Sequence, residues 1–196
     1  AGESRARNLD AVVIATRHGD LSPLSLAAVN AGKHVLVEKP AGNSAAEIAE
    51  VAAAAQKHQR VVKVGYNHRF HPGLLAARKL FDEGVIGPIM YIRGRYGHGG
   101  RVGYEKEWRA QKALSGGGEL IDQGSHLIDL AKWFLGDLQL NYAALPTTFW
   151  PIDVEDNCFM ALSGPQQQIA WLHASWSEWK NIFCFEIMGR DGKLTI

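Results

Sequence analysis

The spacing of apolar and polar positions changes character along this 196-residue chain. Up to Tyr66, short apolar runs alternate with stretches patterned as helices. Ala11 to Thr16, His34 to Glu38 and Val61 to Tyr66 read as buried strands bounded by turn signals. Between the first two, Ser22-Pro23 predicts a helix start, with serine as N-cap and proline at the first helical position, running to a C-cap at Gly32. Ser44-Ala45-Ala46-Glu47 is a capping box opening a second helix that ends near His58. This βαβαβ rhythm predicts a parallel sheet with helices packed on it. An amphipathic helix follows over Pro72 to Glu83, closed by Gly84, and then an alternating strand from Pro88 to Tyr96. After a glycine-rich loop, a helix carrying Asp122 and His126 ends near Gly136. Strand-like segments dominate the rest: Leu138 to Phe149, Asn157 to Ser163, Gln168 to Glu178, Asn181 to Gly189 and Lys193 to Ile196. Gly164-Pro165 and Asp191-Gly192 supply turns between them. The pattern implies an α/β part over residues 1–68, then an α+β domain with a largely antiparallel sheet over residues 69–196.

Composition narrows the function classes. A chain that is 46% hydrophobic and 21% charged can bury a substantial core. Its formal net charge of +1 argues against a nucleic-acid partner, which would need a clustered basic excess. No stretch approaches the roughly 20 apolar residues that span a bilayer, and Ala45 to Ala55 is interrupted by Glu47 and Glu50. Cys158 and Cys184 give neither a disulfide framework nor a zinc pattern, so both read as core or strand thiols in a reducing, cytoplasmic setting. His68 and His71 have an H-x-x-H spacing but lack a third ligand and precede Pro72, so no metal is expected.

Candidate chemistry gathers in three places. Asp122 and His126 stand four residues apart, which on an α-helix stacks a carboxylate on an imidazole. A histidine steered by a neighbouring carboxylate suits general acid–base work; a structural ion pair on a core helix is the competing reading. Pro40 stops the second strand and leaves Lys39 at its carboxyl end, the edge where ligands bind in open α/β sheets. Tyr66, Asn67 and Arg69 follow the last parallel strand at that same edge, with a domain-junction salt bridge as the alternative for Arg69. The segment from Arg93 to Arg109 combines four arginines, three aromatics and five glycines. Guanidinium forks suit carboxylates and phosphates, and aromatic rings stack on sugars. Arg95, His98, Arg101, Trp108 and Arg109 are therefore expected to form a substrate loop for an acidic or nucleotide-linked sugar, the alternative being a surface loop.

Together, Glu38-Lys39-Pro40, the run from Val64 to Pro72, Trp108-Arg109 and the stretch from Gly116 to Asp129 resemble the Gfo/Idh/MocA family of NAD(P)-dependent oxidoreductases. The matching segments occur in the family's order, and the resemblance runs from about Val12 to the end of the chain. It implies a partial Rossmann-like domain and a cofactor, NAD or NADP. The reaction would pass hydride between the nicotinamide and a secondary alcohol or ketone of a sugar, polyol or nucleotide sugar. It makes Lys39 and His126 the catalytic pair, with Asp122 orienting His126 or binding a neighbouring hydroxyl; which of Lys39 and His126 accepts the proton stays open. Thr16, Arg17 and His18 would line the nicotinamide, although Leu21 stands where the family has a histidine, and Glu38, Lys39 and Asn67 would also contact cofactor. Alternatives are an NAD-dependent glycoside hydrolase or lyase using transient oxidation, and a non-catalytic ligand-binding homologue. The G-x-G-x-x-G fingerprint is not found in the sequence, so the chain is expected to be a fragment that binds dinucleotide poorly by itself. Trp150, Trp171, Trp176 and Trp179 fall in the strand-rich part, where the family commonly packs an open sheet face on another subunit, so a homodimer or homotetramer is expected.

Overall fold

A computed structural model describes residues 9–196; the first eight residues of the expected 1–68 domain lie outside the described residues. Two compact units are present, one running to Gly65 with Ala113–Gly116 added, the other made of Tyr66–Lys112 and Gly117–Ile196.

The first unit alternates β1 (Ala11–Ile14), α1 (His18–Asn30), β2 (His34–Val37), α2 (Ala45–Lys57) and β3 (Val62–Val64). Its strands pair in parallel in the order β1-β2-β3. Ile14, Val35 and Val37 point into a core shared with Leu21, Val29 and Ala55. The alternate positions Val13 and Leu36 remain 72% and 43% exposed, so this sheet has one covered face. The N-cap half of the capping box forms, Ser44 Oγ accepting from Glu47 N–H at 3.2 Å, while the Glu47 carboxylate reaches one residue further back and accepts from Asn43 N–H at 2.9 Å. Helix α1 departs from expectation. It begins at His18, with Arg17 as N-cap and Pro23 inside it, rather than at Ser22-Pro23. Tertiary anchoring extends it, because Leu21 is fully buried and the His18 ring bonds the Ser115 carbonyl at 2.9 Å.

The second unit contains α3 (Pro72–Asp82) and β4 (Ile89–Gly97); after the single turn α4 (Lys112–Ser115), of which Ala113–Ser115 belong to the first unit, it continues with α5 (Ser125–Leu135), β5 (Gln139–Ala144), β6 (Asn157–Ser163), β7 (Ile169–Ser175), β8 (Ile182–Gly189) and β9 (Lys193–Thr195). The strands form one six-stranded sheet in the order β5-β6-β7-β4-β8-β9. Every pairing is antiparallel except β4 with β7, which is parallel. Leu74 and Ala77 of α3 and Leu127, Leu130 and Phe134 of α5 pack over Ile92, Leu172, Phe185 and Ile187 of the sheet. Gly94 permits the close approach of α5, since a Cβ there would stand 3.2 Å from a Leu127 methyl and 3.0 Å from one of Leu172. The strand expected to reach Phe149 ends at Ala144: Pro146 has no N–H for a ladder, and the N–H groups of Thr148, Phe149 and Trp150 turn instead to the buried Asp156 carboxylate. A small separate core joins Tyr104, Val154 and Trp176, with Trp150 and Ile152 against it.

Candidate active site

Asp122 and His126 do not share a regular α-helix. Leu120–Gly124 forms one turn of π-helix, and α5 begins only at Ser125. Distant partners satisfy its first backbone donors. Glu119 N–H donates to the Glu155 carbonyl at 2.9 Å and Leu120 N–H to the Glu155 carboxylate at 3.1 Å. Gly118 sits so close that a Cβ there would lie 2.1 Å from the Glu155 carbonyl oxygen. The simple i,i+4 stack expected from sequence is replaced by a π-turn carrying Asp122 ahead of an α-turn carrying His126.

His126 is 6% exposed and set among rings. His68 lies over it with centroids 4.0 Å apart at 40°, while Tyr66 and Tyr96 present edges at 5.8 and 6.2 Å. Burial pushes the Tyr66 hydroxyl above its ordinary pKa and the Asp129 charge adds to this, against smaller opposing effects of Arg69 and of the bond to Ser125. Arg69 grips Asp129 with both guanidinium arms, at 2.7 and 2.6 Å. That fork ties the 3-10 turn Asn67–Phe70 to α5 and so seats His68 on His126. Arg69 does form a salt bridge, but both partners lie in the second unit and not at the domain junction that the alternative reading named. Sequence reasoning weighed His68 only as a metal ligand and missed its place over His126.

A cavity of about 440 Å³ opens beside these rings, lined by Tyr96, His98, Arg101, Tyr104, Gln123 and Phe183 among others. Tyr96 connects the two, lining the cavity and meeting His126 edge-on. His98 Nδ1 accepts from Gly100 N–H at 2.9 Å, and burial lowers the pKa of this ring. Burial, then the Asp122 and Glu119 charges, raise the hydroxyls of Tyr96 and Tyr104. Tyr104 Oη and Gln123 Oε1 are buried with no hydrogen-bond partner among the described residues. Gln123 was not foreseen, since nothing local in the sequence marks one glutamine of a helix as cavity-facing.

The four arginines of the loop each meet a carboxylate. Arg93 pairs with Glu186 at 3.0 Å, Arg95 with Glu178 at 3.0 Å, Arg101 with Glu107 at 2.8 Å and Arg109 with Asp122 at 3.6 Å. Arg109 also lies over the Trp108 ring at 4.5 Å. Of the five residues expected to form the substrate loop, His98 and Arg101 line the cavity.

The cofactor candidates divide between the units. Thr16, Arg17 and His18 follow β1, and Glu38 and Lys39 follow β2, so all five stand at the carboxyl ends of parallel strands. Thr16, Arg17 and Glu38 are exposed there, Lys39 is half-buried and His18 is buried. Glu38 N–H donates to the Ile14 carbonyl and its carboxylate accepts from Lys39 N–H at 3.3 Å, which fixes the turn carrying both side chains. Asn67 belongs to the second unit, where its Oδ1 meets His68 Nδ1 at 3.0 Å.

A family profile described as an oxidoreductase family with an NAD-binding Rossmann fold matches residues 3–66, and one described as the GFO/IDH/MocA C-terminal domain matches residues 74–195. Levoglucosan dehydrogenase of Pseudarthrobacter phenanthrenivorans is 32% identical over 142 residues, which is 71% of this chain and 36% of that protein. Inositol 2-dehydrogenase of Salmonella typhimurium is 27% identical over 132 residues, 67% of this chain and 37% of that protein. A solved levoglucosan dehydrogenase in complex with NADH and levoglucosan superposes with a TM-score of 0.89 at 29% identity, covering 95% of this chain and 53% of that one. Myo-inositol 2-dehydrogenase from Lactobacillus plantarum gives 0.86 at 29% identity, covering 97% and 58%. The chain thus spans little more than a third of its curated relatives and about half of the solved ones.

Proposed function

The chain belongs to the Gfo/Idh/MocA family of oxidoreductases, and from that premise we propose that it serves an NAD(P)-dependent dehydrogenase acting on a secondary alcohol or ketone of a sugar or polyol. The observation that carries the reading is His126, buried among Tyr66, His68 and Tyr96 beside a polar cavity. Buried imidazoles next to a cavity suit proton transfer to and from a substrate hydroxyl. The relatives that act on levoglucosan and inositol support the same substrate class.

In this reading His126 exchanges the hydroxyl proton, Asp122 orients it or holds a neighbouring hydroxyl, and Lys39 stabilises charge on the reacting oxygen. Thr16, Arg17, His18 and Glu38 fit a nicotinamide nucleotide in kind, being a mostly exposed polar set at the carboxyl edge of a parallel sheet, and Asn67 is the further candidate. That cofactor, NAD or NADP, would supply the hydride acceptor at its nicotinamide ring. Self-association through the second unit's sheet accompanies the proposal. Tyr91, Ile169 and Trp171 are 38, 40 and 49% exposed on one face, where Tyr91 stands opposite Ile169 and Arg93 opposite Trp171.

The test follows nicotinamide absorbance with NAD and NADP over a panel of sugars and polyols, using the full-length protein and its His126→Ala and Lys39→Ala variants. Reduction with one substrate class, and loss of most of kcat in both variants with unchanged circular dichroism, is the expected result. Near-wild-type turnover in either variant removes that residue from the chemistry, and absence of reduction with every substrate removes the reading.

A further inference from the structure

Burial by itself does not fix the plane of the His126 ring. Rotation between an imidazole and its Cβ is broad and roughly two-fold, so a buried histidine keeps one plane only where something flat lies against it. Tyr66 and Tyr96 meet His126 edge-on, with centroids 5.8 and 6.2 Å away and planes at 84° and 62°. His68 stands closer, at 4.0 Å, and its plane is tilted by 40°. Of these three rings, His68 is the one placed to hold the plane of His126.

His68 is itself held from several sides. Its Nδ1 meets Asn67 Oδ1 at 3.0 Å. Tyr96 and Phe183 lie 5.1 and 5.5 Å from it, stand edge-to-face with each other and line the cavity. The next residue in the chain, Arg69, forks onto Asp129, and Asp129 lies three positions beyond His126 on α5. The two imidazoles are therefore mounted on one frame, each beside a partner of the same ion pair. His68 joins the ring that exchanges the proton to two walls of the cavity in which the substrate would sit.

We infer that His68 is a positioning residue for the reaction: its ring sets the plane of His126, and with it the direction in which His126 meets the substrate hydroxyl, without taking the proton itself. This rests on reading His126 as the proton-exchanging group of the proposed dehydrogenase. What the role asks of position 68 is a flat ring, and an imidazole is one of several that would serve. Misdirection of a reacting group slows chemistry more than it weakens binding, since a displacement of about 1 Å can cost roughly a hundredfold in rate.

Three replacements in the full-length protein test it: His68→Ala removes the ring, His68→Leu fills the space without a flat face, and His68→Phe restores a face that cannot carry a proton. Steady-state kinetics use the sugar or polyol that the wild type oxidises fastest. His68→Ala and His68→Leu should each lose about thirtyfold in kcat. KM should move by less than about threefold, because the loss falls on the transition state. His68→Phe should recover kcat to within about fivefold of wild type. NMR supplies a second readout: the His126 ring protons, shifted by the ring lying against them, should move downfield in the Ala and Leu variants and stay upfield in the Phe variant. Circular dichroism checks the fold, and if His68→Ala does not fold, the comparison of Leu with Phe decides alone. Near-wild-type kcat in His68→Leu would overturn the inference. So would a His68→Phe variant no faster than His68→Leu, since the imidazole's own proton would then be what the reaction needs. A wild type that reduces no nicotinamide with any substrate would instead fail the dehydrogenase reading, and this role would fall with it.

Discussion

Asp156 offers the sharpest quantitative test of how the cavity is built. Its side chain is fully buried and accepts five hydrogen bonds. Oδ1 takes Thr148 N–H at 2.9 Å, Thr148 Oγ1–H at 3.1 Å and Asn157 Nδ2–H at 3.0 Å, and Oδ2 takes Phe149 N–H at 2.7 Å and Trp150 N–H at 2.9 Å. Burial alone would raise this carboxyl's pKa; the bonds outweigh it and hold the group below its ordinary range. Asp156→Asn keeps the shape and the Oδ1 set but places an amide NH2 against two backbone N–H groups. Each buried donor left unmatched costs about 1–3 kcal/mol, and because the loop at Phe149 can admit water we expect a total near 3 kcal/mol. Equilibrium urea unfolding should show the midpoint falling with an unchanged m-value. A native group with a depressed carboxyl pKa contributes stability that is present above the unfolded value, 3.8, and is lost as pH falls through the lower folded value. The variant should therefore also lose part of the wild type's acid-side decline below pH 3.8. A loss under about 1 kcal/mol would refute the view that this carboxylate organises the loop. The consequence reaches the cavity, because the same loop carries Trp150, whose ring packs on Tyr104 and donates to the Trp176 carbonyl at 2.9 Å.

Other expectations follow from the same geometry. Gly118→Ala drives a Cβ to 2.1 Å from the Glu155 carbonyl and should cost about 2–3 kcal/mol by thermal unfolding; a change under 0.5 kcal/mol would mean the π-turn yields freely. Arg69→Met leaves Asp129, whose side chain is 10% exposed, without its fork and should cost about 2 kcal/mol, discounted for the half-exposed arginine, while broadening the His126 ring resonances. Unchanged ring resonances would show that the fork does not seat His68. Burial depresses the pKa of both His98 and His173, so folding favours their neutral forms. Their contribution is full above 6.5, the unfolded value, and falls as acidification reaches the lower folded values, so the melting temperature should drop from pH 7.5 to 5.5. His98→Asn with His173→Asn should flatten that drop, and an equal slope in the double variant would exclude these rings as its source.

What could be read in the sequence was local or periodic. The alternation of strands and helices up to Tyr66, the Ser44 N-cap and the helix opening at Pro72 are set by residues close together in the chain, and the structure has each of them. Features fixed by distant partners were not readable. Nothing near Gly118 announces Glu155, so the π-turn under Asp122 looked like ordinary helix. The start of α1 depends on the Ser115 carbonyl meeting His18, and local capping preferences at Ser22-Pro23 gave way to it. Arg93 and Arg95 resembled part of an anion site because their partners Glu186 and Glu178 lie more than 80 residues further along. The cavity itself combines residues from β4, the following loop, the π-turn and the start of β8, a conjunction that no window of sequence contains.

The parallel pairing of β4 with β7 has a consequence for how the molecule is made. β4 lies inside the sheet, yet both of its neighbours come from the far end of the chain: Tyr91 waits for Ile169, and Ile89 for Gly189. At synthesis rates of about 5–20 residues per second, roughly 80 residues must emerge before the first of these partners exists, an interval on the order of 4–16 seconds. For that time a nine-residue strand has neither edge satisfied. Closure of its ladders is then dominated by contacts of long sequence separation, which places this unit among slow folders. Arg93 and Arg95, exposed and charged along that waiting strand, oppose its pairing with another copy of itself until Glu186 and Glu178 arrive to neutralise them.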